Sequence, residues 1–339
     1  MLKINPLSTL YVGIDVSSKS NYICALDFFK NKYINSSFAN NQPGAEELAL
    51  KILECLNQHP DLTMVVAALE STSVYSIHIA NYLSSCEELM RFKPYVFVLN
   101  PKCTANYKKS YIGLGKSDPI DAFVIADYAR AGNIESEPWR GSQFLALKRL
   151  TRHRLHLVEC MTREKTYLIS NLYLKFSELQ MLEGDDQPFC DIYGATSSSV
   201  LMEYLSPEEI LASSEENLIA FLAEKSCNRI KDISKTADLL KKAARDSYRL
   251  DKALYEPLNV SIASSFNCIE TFKREIKVID NAIEKEIKGL NPNAFIILQS
   301  IDGIGPVFAG GIIAEIGDIT AFHSSDALAK YAGLTWKSN

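Results

Sequence analysis

The sequence contains no C-x-x-C pair, although it carries eight cysteines: Cys24, Cys55, Cys86, Cys103, Cys160, Cys190, Cys227 and Cys268. That scatter fits neither a zinc site nor a disulfide framework, so most are expected to be buried thiols acting as small hydrophobes. Five histidines show no metal-ligand spacing and no Ser/His/Asp arrangement; His153 and His156 only extend a basic helix face. No apolar run approaches the roughly 18 residues needed to cross a bilayer. The start, MLKINPLSTLYVGID, runs into a strand without the apolar core of a signal peptide. A cytoplasmic protein with no membrane partner is expected. Net positive charge is also missing: 36 Lys and Arg face 41 Asp and Glu, a balance of −5 that argues against a generic nucleic-acid binder.

The average hides a pattern. Residues 183–224 hold ten acidic residues and no Lys or Arg. Before them, residues 140–180 carry eight Lys or Arg against three Glu, with Arg149, Arg152 and Arg154 close together. Residues 102–116 add four lysines and no acid, and residues 229–252 hold eight basic residues and four Asp. Local basic stretches decide where phosphates can bind. The acidic block reads most simply as a solvated insertion; screening a basic face is the alternative.

At 339 residues and 47% hydrophobic content the chain is large enough for two or more domains with real cores. The runs YVGIDVSS and NYICALDFF, joined by a polar turn, predict a β-hairpin, and a third strand is expected at residues 32–38. NNQPGAEELALKILECLNQHP has a Pro/Gly start and helical spacing. TMVVAALE is a continuous apolar run typical of a strand covered on both faces. A helix over residues 74–84 and the strand YVFVLN follow. This order predicts an α/β layer around a mixed sheet.

Four acidic residues stand out in that layer. Asp15 and Glu70 end apolar strands, where catalytic groups of open α/β sheets collect. Asp118 and Asp121 open a helix in KSDPIDAFVIADYAR, three residues apart and so on one face. Unpaired charges are costly to bury; gathered together, the four would make an all-oxygen pocket for Mg²⁺ or Mn²⁺. Two cations roughly 3.5–4 Å apart in such a pocket serve phosphoryl transfer. Each residue also has a bland account. Asp118 fits an N-cap before Pro119, with Asp121 complementing the helix dipole and Gly132 ending the helix. Glu70 could cap the following helix, and Asp15 could bond to the SSKS turn. Just upstream, Lys108, Lys109 and Lys116, with Tyr107 and Tyr111, are expected in a loop that binds phosphate or stacks a base, or is merely solvated.

Residues 142–179 read as a long helix with Leu147, Leu150, Leu157, Met161, Leu168 and Leu172 on one side. A second shows Leu254, Leu258, Ile262, Phe266, Ile269, Phe272, Ile276, Ile279, Ile283, Ile287 and Leu290 at helical spacing. The pair is expected to form an antiparallel coiled coil with a helical insertion at its tip. Near the C-terminus, ILQSIDGIGPVFAGGIIAEIGDITAF has the pattern of a helix-hairpin-helix. Gly303 and Gly305 would permit its turn, Pro306 would start its second helix, and backbone N–H groups there could take a phosphate.

These segments resemble a known family, the DEDD transposases of bacterial insertion sequences, related to the Piv-type DNA invertases. VGIDVSSKSNYICALD, ALESTSVYS and KSDPIDAFVIADYAR are similar to its ribonuclease-H-like (RuvC-like) domain, and SIDGIGPVFAGGIIAEIGDITAFHSSDALAKYAGLTW resembles its C-terminal domain. The resemblance implies that Asp15, Glu70, Asp118 and Asp121 are the catalytic, metal-holding DEDD set. Lys102, Lys108, Lys109, Lys116, Arg149, Arg152, Arg154, Gly303 and Gly305 are the candidate nucleic-acid contacts. It further implies DNA and a structured guide RNA as partners, and assembly as a dimer or tetramer through the coiled coil. The expected organisation is 1–138 catalytic domain, 139–182 first coiled-coil helix, 183–252 insertion, 253–291 second helix and 292–339 C-terminal domain. The family also uses a serine nucleophile in an SG motif shortly after YAGLTW. This sequence ends in KSN, and no glycine follows Ser338; a truncated chain whose nucleophile lies beyond its end is the expectation. Two other readings stay open: an RNA- or DNA-binding relic, and an actin- or sugar-kinase-like ATPase suggested by the GID strand-turn.

Overall fold

The structure, a computed structural model, describes residues 4–71, 73–134, 138–139, 141–317 and 319–334. It divides into two compact units, residues 1–146 with 316–339, and residues 147–315.

The first unit is built on a five-stranded mixed sheet in the order β3-β2-β1-β4-β5. The hairpin β1 (Thr9–Val16) and β2 (Ser20–Leu26) forms as the sequence predicts, and β3 (Lys32–Ala39) adds antiparallel to β2. Between the first two strands, Ser17 closes the turn: its N–H and its hydroxyl both donate to the Ser20 carbonyl. β4 (Met64–Glu70) lies parallel to β1, and β5 (Tyr95–Leu99) parallel to β4. The helices are α1 (Gln42–Gln58), capped by the Asn41 side chain, α2 (Tyr75–Ser85), α3 (Pro101–Lys108) and α4 (Asp118–Arg130).

Strand alternation decides which residues meet which helix. Leu10, Val12, Ile14 and Val16 share one cluster with Leu48 and Ile52 of α1 and with Ile79 and Leu83 of α2. The other face carries Tyr11, Val66, Ala68 and Phe97, packed against Ala122, Ile125, Ala126 and Ala129 of α4. Asp15 and Glu70 have the parity of this second face. α4 can lie so close because of Gly13: a Cβ there would fall inside contact distance of the Ala122 carbonyl and the Ala126 backbone.

Two boundaries differ from expectation. The N-cap of α4 is Ser117, so Asp118 is its first helical residue rather than its cap; Gly132 follows the C-cap with φ +76°. The stretch leading into the lysine-bearing loop is helical over Pro101–Lys108, because the Asn100 side chain caps the Lys102 N–H and Pro101 suits the first turn. Tyr107 and Lys108 thus end a helix, while residues 109–116 lie outside regular structure as expected.

The second unit is helical. α5 (Ser142–Lys175), α6 (Ala195–Glu203), α7 (Pro207–Ala212), α8 (Glu215–Ser226), α9 (Ile233–Asp246), α10 (Lys252–Leu290), α11 (Pro292–Gln299) and α12 (Pro306–Ile316) follow in order, with α13 (Ser325–Tyr331) after them in the chain. α5 stops four residues short of the expected end, where Phe176 leaves the helical backbone (φ −147°, ψ 69°) and is buried. Leu168, Leu172, Val200, Leu201, Leu218, Leu222, Leu240, Ile262 and Phe266 form one core. The acidic block is thus not a loose solvated insertion: its helices bury their apolar faces against both long helices. Arg154 of α5 pairs with Asp280 of α10, while Leu168 and Leu172 meet Ile262 and Phe266, so the two helices run antiparallel here. Leu254, expected in the apolar seam of α10, is 51% exposed, and Tyr255 is buried in its place.

Candidate active site

Two strands and one helix carry the four acidic residues. The β1–β4 register pairs Ile14 with Leu69, so the next residues, Asp15 and Glu70, stand level at the ends of neighbouring parallel strands. α4, lying across that face, begins with Asp118 and carries Asp121 one turn on. Burial and the negative charges of Asp121, Asp118 and Glu70 push the Asp15 carboxyl up to about 6, with Lys108 acting in the opposite sense. The four acids therefore feel one another.

The bland accounts of Asp15 and Glu70 fail, while Asp118 and Asp121 do stand in the first turn of α4. Ser17, not Asp15, closes the hairpin turn. The N-cap of α2 makes no side-chain cap hydrogen bond; Glu70 instead accepts from the Thr104 hydroxyl. Asp118 is exposed in the first turn of α4, where the helix dipole favours a negative charge but requires no particular residue.

The set is not a closed cage. Among the described residues, no group of three or more His, Cys, Asp or Glu side chains stands close enough together to hold a metal ion. Two of the four are engaged by the chain itself: Glu70 by Thr104 and Asp121 by the Lys108 ammonium. The donor chemistry, four carboxylates with Asp15 held up by mutual repulsion, fits a hard divalent cation.

Thr104 and Lys108 lie one turn apart on α3, and sequence reading missed the former. It also missed Asp127, fully buried in α4. Asp127 accepts from the Tyr107 hydroxyl at 2.8 Å, from Tyr111, from Arg130 Nε at 2.6 Å and from Lys30 Nζ at 3.3 Å. Burial works against its charge, but the hydrogen bonds from Tyr111, Arg130 and Tyr107 outweigh it and hold its carboxyl below the usual range. Tyr107 and Tyr111, read from sequence as either base-stacking or solvated, thus turn their hydroxyls inward. The signal was available: a second Asp in the apolar stretch AFVIADYAR has to find partners.

The other candidates spread out. Lys102, Lys109 and Lys116 are exposed. In the second unit Arg149 is exposed, whereas Arg152 forks onto Glu315 at 2.8 and 3.1 Å and Arg154 onto Asp280. Gly303 has φ +88° in the turn between α11 and α12; Gly305 precedes Pro306 at the start of α12. Ser338 lies outside the described residues.

A family profile described as a transposase of the IS110 DEDD type matches residues 12–177, which hold all four acids; a second, "Transposase IS116/IS110/IS902 family", matches residues 296–339. The chain belongs to the IS110-type DEDD transposase family. An insertion element IS900 protein of 42 kDa from Mycobacterium paratuberculosis is 25% identical over 330 residues, covering 96% of this chain and 76% of that protein. The 44.8 kDa protein of insertion element IS116 from Streptomyces clavuligerus is 24% identical, covering 96% and 75%. The pilin gene-inverting protein of Moraxella lacunata is 26% identical over 160 residues, 47% of this chain and 46% of that protein. For an IS110-type transposase the general activity is DNA transposition or recombination, the implied partner is DNA, and divalent metal ions are generally used. Among the described residues no helix is long and apolar enough to cross a membrane.

Proposed function

We propose that this transposase cuts and exchanges DNA strands with Asp15, Glu70, Asp118 and Asp121 as its catalytic, Mg²⁺- or Mn²⁺-holding set, in a ribonuclease-H-like domain. The observation that carries the reading is the convergence at Asp15: the carboxyl, half-buried at the end of β1, is raised first by burial and then by Asp121 and Asp118 of α4 and Glu70 of β4, and a cation relieves that repulsion. A bound divalent cation would activate the attacking oxygen and stabilise the leaving one. Asp15 and Glu70 would hold it from the strand ends, Asp118 and Asp121 from α4. Thr104 orients the Glu70 carboxylate by donating to it.

The rest of the proposal concerns partners. A structured guide RNA would direct the chain to donor and target DNA. Lys102, Lys108, Lys109 and Lys116 would meet phosphates beside the acids, and Arg149 would do so on α5, where Arg152 and Arg154 are already paired with Glu315 and Asp280. Gly303 and Gly305 would open the turn of a helix-hairpin-helix whose backbone N–H groups take a phosphate. The long helices α5 and α10 would pair as a coiled coil that joins subunits, with 1–138 and 292–339 as the flanking functional domains, in the cytoplasm.

Strand cleavage of matched DNA with guide RNA and Mg²⁺, by protein that also carries the serine motif implied by the family resemblance, tests the reading. Asp15→Asn and Asp121→Asn are expected to remove cleavage while leaving nucleic-acid binding. Cleavage undiminished in both variants would refute the assignment.

A further inference from the structure

The acidic residues meet one cation supplied by the chain itself. Lys108 ends α3, and its ammonium forms an ion pair with Asp121, both side chains about three-quarters buried. It is also the group that offsets the repulsion at Asp15. A lysine on a four-carbon stem has many places to go, and ordering it costs rotamer entropy. What holds it is visible on either side: Tyr107 and Tyr111 both donate their hydroxyls to the buried Asp127, and their rings meet edge to face at 5.8 Å. Tyr107 also packs on Tyr128 and Tyr111 on Phe123, both of α4. Tyr107 and Tyr111 are thereby pinned to Asp127 of α4, less than two turns from Asp121, and Lys108 lies between the pins in the chain.

We propose that Lys108 is a built-in counterion of the carboxylate set, seated by the Tyr107/Tyr111 clamp on Asp127, and that a divalent cation must displace it from Asp121 to bind. Asp127 and the two tyrosines are positioning residues: they fix where the ammonium rests without touching the reacting atoms. The displaced ammonium then stands beside the acids with its charge free for a phosphate oxygen. Cation uptake and phosphate capture are coupled through one side chain, and before the cation arrives Lys108 offsets the charge of Asp121. The inference rests on the proposed metal-holding role of the four acids.

The test is Mn²⁺ binding to the full chain without nucleic acid, followed by electron paramagnetic resonance. Removing a competing, partly buried ion pair is expected to tighten binding roughly five- to ten-fold in Lys108→Met. Tyr111→Phe, which loosens the clamp without removing the ring, should move affinity in the same direction by less. Lys108→Arg should bind like wild type, and so should Lys93→Met, an exposed lysine away from the acids. Mn²⁺ binding in Lys108→Met that equals or falls below wild type would overturn the counterion role. No Mn²⁺ binding by wild type or any variant would instead overturn the metal-holding reading beneath it.

Discussion

The Thr104 hydroxyl donates to the Glu70 carboxylate, joining the second turn of α3 to the end of β4. The same hydroxyl reaches the Pro101 carbonyl at 3.1 Å, and Thr104 is only 2% exposed. Thr104→Val keeps the shape and removes the donor. A hydrogen bond to a charged group contributes about 1.5–3 kcal/mol, so a urea-induced unfolding curve in chelator is expected to show a loss near the lower end of that range. An unchanged midpoint would mean that the pair contributes nothing.

Gly13 sets the approach of α4. Gly13→Ala would drive a methyl into the Ala122 carbonyl and the Ala126 backbone, neither of which is a flexible side-chain end. Overpacking of this kind costs about 1–3 kcal/mol, and displacement of α4 would carry Asp118 and Asp121 away from Asp15. Gly115→Ala, with open space around it, is the control and should stay within about 0.5 kcal/mol of wild type. Thermal unfolding of both variants decides the point; equal melting temperatures would show that the close approach is not required.

Lys175, 1% exposed, donates to the Leu201 carbonyl at 2.7 Å inside the second unit. Burial lowers its pKa from the usual 10.5 to about 8, with Glu209 opposing. The folded chain thus binds fewer protons than the unfolded one between those values, and stability should rise with pH from about 8 to about 10.5. Below pH 8 the buried charge is costly by up to about 3 kcal/mol. Urea unfolding at pH 7.5, 9 and 10 should show this increment in wild type and not in Lys175→Met. Parallel curves would contradict it.

The α5 arginines should behave differently from one another. Arg149 is exposed, while Arg152 and Arg154 are committed to Glu315 and Asp280. Arg149→Ala is expected to weaken DNA or RNA binding and reduce the magnitude of the salt-dependence slope by about one. Arg152→Ala should act mainly on stability. Filter-binding titrations at several salt concentrations read the slopes, and identical slopes for wild type and Arg149→Ala would remove Arg149 from the interface.

Much of the first unit was legible in the sequence because period-two alternation and turn residues are local signals. The hairpin, the third strand and the placement of Asp15 and Glu70 on neighbouring strands follow from them, whereas the parallel register that sets the two acids level comes from the structure. What sequence did not show is tertiary: Gly13 looks like any strand glycine until α4 lies on it. Thr104 and Asp127 carry no motif, and their roles arise from the contacts that α3 and the loop after it make with Glu70 and α4. In the second unit the acidic block misled, since charge counts describe the outer faces of α6 to α8 and not Val200, Leu218 and Leu222 turned inward.

The most direct measurement is Mn²⁺ titration of the full chain by electron paramagnetic resonance, comparing wild type with Asp15→Asn, Glu70→Gln and Asp121→Asn at pH 7.5, each checked for native circular dichroism. Wild type is expected to bind the ion, and each folded variant to bind it at least about ten-fold more weakly, as losing an anionic ligand requires. Binding of equal strength in wild type and all three variants would show that these carboxylates do not form the metal site.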